Sequence, residues 1–161
     1  FEDVLNTLNS LQIDCLGKGA REVLSELVNA ISENADTKED IIARAAANEA
    51  ISELYNIIED DDIGLLQEID EDRFRLILEV YLTEYIFGRA LGDLQSSFEK
   101  YGKDPKVILA KEKELKDYIR VKVEIRLKEM SPESLDYHSS NIFDEVENLF
   151  IRCFRAFEEY I

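Results

Sequence analysis

The chain has 161 residues, 45% of them hydrophobic and 34% charged, with a formal net charge of −17. This balance excludes a disordered chain and suits one domain with a real core. The charge disfavours nucleic acid, whose counterion-release gain needs cations; no apolar run approaches the roughly 18 residues of a membrane span, and no signal peptide opens the sequence.

Six glycines and two prolines favour long, uninterrupted helices, and apolar residues recur at helical spacing from the start. Phe1, Val4, Leu5, Leu8 and Leu11 predict a first short helix, punctuated by Gly17 and Gly19. Ala20, Val23, Leu24, Leu27, Val28 and Ile31 predict a second. Asp36 followed by Glu39 resembles a capping box, with Thr37 as the alternative cap. A third helix then runs to about Ile58 with Ile41, Ile42, Ala45, Leu54, Tyr55 and Ile58 facing inward. The acid run Glu59–Asp62 and Gly64 form a connector.

Asp70 opens a fourth helix carrying Phe74, Ile77, Leu78, Tyr81, Leu82, Tyr85 and Ile86. Gly88 and Gly92 weaken its second half by roughly 1 kcal/mol each relative to Ala, and their spacing suits close approach of another backbone. Asp104 and Pro105 supply an N-cap and first-position pair for a fifth helix, reaching about Met130. Within it, Ile119, Val121, Val123, Ile125 and Leu127 alternate with polar residues at the period of a strand. With no partner strand elsewhere, and with Leu115, Ile119, Val123 and Leu127 also on one helical stripe, helix is expected. Ser131 and Pro132 open a sixth helix, whose stripe is Leu135, Ile142, Phe143, Val146, Leu149, Phe150, Cys153, Phe154 and Phe157. The expected fold is all-α: a single-domain bundle of five to six antiparallel-packed helices with no sheet. Because the sequence opens at Phe1 directly in a helical pattern, it reads as the C-terminal part of a longer protein.

Chemistry-bearing motifs are sparse. The one histidine, His138, has only Asp136 and Tyr137 beside it, which make no metal-ligand motif. Pro132, Glu133 and Ser134 leave no arginine where helical RNases place one before their histidine, so a surface or cap-region histidine is expected. A calcium loop aligned on Gly64 fails because Ile63 cannot ligate and Asp70 replaces the closing Glu. Gly17-Lys18-Gly19 lacks the length and hydroxyl of a phosphate loop and reads as a linker. Cys15 and Cys153 have no spacing motif; a reducing cytoplasm is the simplest reading, and a disulfide between them stays open. No catalytic group, cofactor or metal site is expected. Charge is uneven: residues 1–70 hold 17 acids and 4 bases, whereas residues 100–128 hold 10 bases and 5 acids.

The stretch Leu66–Leu94, LQEIDEDRFRLILEVYLTEYIFGRALGDL, joins an apolar-acidic lead-in to a helix centred on Glu79-Val80-Tyr81, then Glu84, Ile86, Arg89 and Asp93. After a gap come Glu114-Leu115-Lys116-Asp117-Tyr118-Ile119-Arg120, and then Ser131-Pro132-Glu133. This order resembles the C-terminal helical domain of the QatB family of the Qat anti-phage defence system, over roughly residues 20–160. Gly88 departs from that pattern, where a better helix former is expected. The resemblance implies a cytoplasmic bacterial protein without enzymatic activity, encoded beside an ATPase, a QueC-like enzyme and a TatD-like nuclease. It implies a subunit that binds the QueC-like partner and presents a flexible N-terminal region to it. On the residues themselves, Tyr81, Tyr85, Arg89, Asp93 and Arg120 are the expected partner-binding surface, because tyrosine and arginine supply contact area and directed hydrogen bonds. Neither direct nucleic-acid binding nor a membrane is expected, and a homo-oligomer is compatible with the sequence. The competing reading is an acidic helical scaffold or regulatory dimerisation module unrelated to Qat.

Overall fold

The computed structural model describes residues 18–20, 22–26, 37–57, 70–101, 105–129 and 140–158, which are helical except for a few residues at segment edges. Four long helices account for most of them: α1 (Lys38–Ile57), α2 (Glu71–Tyr101), α3 (Pro105–Glu129) and α4 (Ser140–Glu158). Residues 22–26 form a further helical stretch, and no strand occurs among the described residues, so the fold is all-α. The chain divides into two compact units, Phe1–Leu78 and Glu79–Ile161.

In the first unit, Ala20, Leu24 and Leu54 form a buried cluster against which Ile51, Tyr55 and Ile77 pack. The Ser25 hydroxyl and the Tyr55 phenol hydrogen-bond at 3.3 Å, and Lys18 pairs with Glu26 at 2.7 Å. Helix α1 is capped by Thr37: its Oγ1 accepts from the Asp40 amide at 3.1 Å, while the Asp40 carboxylate accepts from the Thr37 amide at 2.9 Å. This is the alternative cap of the sequence reading, with Asp40 in the reciprocal role. The inward face also differs from the expected one. Ile41 is 58% exposed and Ala45 is exposed, whereas Ala46, Ala50 and Leu54 are buried. The apolar residues of α1 surround its axis almost evenly, so periodicity alone could not choose the stripe; contacts with Ala20 and Leu24 did.

Helix α2 begins as expected: the Asp70 carboxylate accepts from the Arg73 amide at 2.8 Å, and the Asp70 carbonyl from the Phe74 amide at 2.9 Å. It runs unbroken through Gly88 and Gly92. Its core stripe is Leu82, Ile86, Ala90 and Leu94, while Phe74, expected inward, is 43% exposed in the first turn.

Pro105 opens α3, where its missing N–H is no loss. Leu115, Ile119, Val123 and Leu127 are buried on one stripe, and Val121 and Ile125 are each 47% exposed. The strand-like alternation is therefore helical, with one branched set inside and one outside. Glu84 of α2 pairs with Lys116 of α3 at 2.6 Å, and Glu79 lies in the field of Arg120, Glu124 and Lys128. Moving back along α2 thus moves forward along α3, so the two helices run antiparallel there.

Helix α4 buries Phe150 and Cys153, with Phe154 half-buried. Cys153 is a free thiol. The expected first helix, Cys15, Asp36, Glu59–Asp62, Asp104, Ser131, Pro132 and His138 lie outside the described residues.

Candidate protein-interaction surface

Tyr81, Tyr85, Arg89 and Asp93 recur every four residues on α2 and so lie along one flank of the helix. The structure joins the first three into a ladder. The Tyr81 and Tyr85 rings stack nearly parallel, 8° apart with centroids at 6.1 Å. The Arg89 guanidinium continues the column, its Cζ 5.8 Å from the Tyr85 ring centroid and 4.1 Å from that of Phe150 on α4. Phe150 in turn lies against Phe154, with centroids at 5.8 Å.

The guanidinium also donates to the Glu147 carboxylate through Nη1 at 2.6 Å and Nη2 at 3.5 Å. The Arg89 side chain is 22% exposed and that of Glu147 50% exposed, so the pair lies at a partly dried edge. A planar cation suits this place, because it meets an aromatic face and a carboxylate at once. Burial pushes the Tyr81 phenol above its ordinary value of 10.0, which keeps it a neutral donor.

Asp93 is exposed one turn beyond the ladder. Arg120 is exposed on α3, and its charge acts on Glu79 and Glu124. Glu79 is raised above the usual carboxylate value mainly by burial, with Glu124 adding to the shift and Arg120 and Lys128 opposing it. Glu124 is lowered by its hydrogen bond to Lys128. Glu79 and Tyr81 point to different sides of α2, so Arg120 belongs with the Glu79 group and the ladder stands apart from it.

The sequence reading missed Glu147 and Phe150 as partners of Arg89. Phe150 stood in an apolar stripe that announced burial without naming its neighbour, and nothing local marked Glu147 among the other surface acids. No group of three or more His, Cys, Asp or Glu residues able to hold a metal occurs among the described residues. Nor is any helix of the described residues long and apolar enough to cross a membrane.

No curated protein and no solved structure matches the chain. One family model does, over residues 2–157: that of the Qat anti-phage system associated protein QatB.

Proposed function

The chain belongs to the QatB family, which gives it a place in the Qat anti-phage system, and from that premise we propose that it is a non-catalytic subunit acting by recognition in the bacterial cytoplasm. It holds the QueC-like enzyme of the same system and presents a flexible N-terminal region to it. The match across residues 2–157 is the observation that carries this reading. Its contact surface is the α2 flank of Tyr81, Tyr85, Arg89 and Asp93, and Arg120 of α3, on the Glu79 side of α2, supplies a second contact apart from that flank. The stacked, half-buried tyrosines supply contact area, and the exposed Asp93 supplies a charge for register. Arg89 has a further duty, because its bond to Glu147 holds the flank in shape.

Co-expression with the neighbouring Qat gene products, followed by size-exclusion chromatography, tests the function. Co-elution with the QueC-like protein is expected, and failure of the wild type to bind any Qat component would remove the reading. The surface is tested by Tyr85→Ala combined with Asp93→Arg, which should abolish co-elution while helicity is kept. Full retention of the complex by that variant would move the contact elsewhere on the protein.

A further inference from the structure

Between α3 and α4, within the second unit, lies a crevice of about 240 Å³. Among the described residues, three cations stand around it, Lys122 and Arg126 from α3 and Arg152 from α4, against one carboxylate, Glu129. Arg126 holds that carboxylate at 3.2 Å. Lys122 instead rests 5.3 Å from the centre of the Tyr118 ring, and neither it nor Arg152 makes an ion pair among the described residues. Elsewhere on α3, Lys111, Lys116 and Lys128 each have a carboxylate partner, and Lys113 and Arg120 make no ion pair among the described residues, so what distinguishes Lys122 and Arg152 is that both line one crevice. Two cations left facing one crevice mark a place where negative charge from another molecule is favourable.

We propose that this crevice docks an acidic segment of a protein partner, one carrying apolar side chains beside its carboxylates. The choice follows from the rest of the lining. Ile125 is 47% exposed, and Leu149 and the Tyr118 ring are half-buried beside it. A small inorganic anion would meet the cations and leave this hydrocarbon wet, whereas a peptide side chain covers it. A nucleic acid would bring many phosphates under the field of a chain of charge −17. A short acidic peptide needs only the local cations, since remote charges are screened beyond about 8 Å at physiological ionic strength. The crevice is separate from the α2 ladder, and the inference holds whether or not the Qat reading does.

The test is fluorescence anisotropy of a labelled peptide of repeating Asp-Glu-Leu, titrated with the full chain. Saturable binding is expected, weakening steeply with salt and by at least about tenfold in Lys122→Glu/Arg152→Glu, a change equivalent to about 1.4 kcal/mol. Both residues are exposed, so circular dichroism should be unchanged. The Asn-Gln-Leu counterpart should not bind, and Ile125→Ser should weaken binding of the acidic peptide. Absence of saturation at millimolar peptide, or equal affinity in the charge-reversed variant, overturns the proposal. So does displacement by inorganic phosphate at the peptide's own concentration, which would reduce the site to a simple anion pocket. A homodimer that dissociates on the same charge reversal would assign the crevice to a second copy and equally overturn it.

Discussion

The guanidinium of Arg89 lies between a ring and a carboxylate of the same helix, with Phe150 4.1 Å from its Cζ and the nearer oxygen of Glu147 2.6 Å from its Nη1. One side chain of α2 thus engages two successive turns of α4. The bond to Glu147 holds the guanidinium where its Cζ stands over the Phe150 ring, so the two interactions reinforce each other.

A double-mutant cycle over Arg89→Ala and Glu147→Ala should return a coupling of about 0.5–1 kcal/mol, the range of a half-exposed pair. Arg89→Ala alone should lower the melting temperature by roughly 2–4 °C, because the Phe150 contact is lost as well. Additive single effects would show that the pair is not coupled. Arg89→Glu places two carboxylates together and should be worse than Arg89→Ala, whereas the swap Arg89→Glu/Glu147→Arg should recover part of the loss.

The two faces of α3 should respond very differently to truncation. Ile119 is fully buried, and Ile119→Ala should destabilise by about 2–5 kcal/mol in urea unfolding. Val121, two residues on and 47% exposed, should tolerate Ala within about 0.5 kcal/mol. Comparable losses at both positions would contradict the helical register.

Thr83 is 3% exposed, and its hydroxyl oxygen is buried without a hydrogen-bond partner. Valine has nearly the same shape and removes the stranded polar group. Thr83→Val should therefore be neutral or stabilising by about 1 kcal/mol, with the melting temperature unchanged or higher. A clear loss of stability would reveal a bond made by that hydroxyl.

The Cys153 thiol is pushed up to about 11 from 9.0 by burial, with Lys122 opposing the shift. Its folded value lies above the unfolded one, so the neutral thiol favours the fold in full below about pH 9. That contribution should fade as pH rises through about 11. In a Cys15→Ser variant, whose one thiol is Cys153, reaction with a disulfide reagent at pH 8 should be slow in the native state and fast in urea, since only the thiolate attacks. Rapid native labelling at pH 8 would refute both the burial and the shift.

The helices begin where local chemistry is strongest. Pro105 and the Asp70 carboxylate fixed two starts that could be read directly, and Leu115, Ile119, Val123 and Leu127 outweighed a strand-like alternation once no partner strand could be found. The tyrosine flank of α2 was equally legible, because a spacing of four on a helix is geometry that the chain carries with it. At Thr37 the cap shifted by one residue, since neighbouring hydroxyl and carboxylate side chains compete for the same amides on nearly equal terms.

By itself, then, the sequence determined the helical class, two of the helix starts and the buried stripe of α3, all effects acting within a few residues through backbone hydrogen bonds and side-chain periodicity. Only the tertiary structure decided which face of alanine-rich α1 turns inward, that Arg89 meets Glu147 and Phe150, and that Lys122 and Arg152 share a crevice. Arg89 and Glu147 are 58 positions apart, and Lys122 and Arg152 sit on different helices. Which charge meets which carboxylate depends on the packing of those helices, where many surface acids offer the same chemistry and only position separates them.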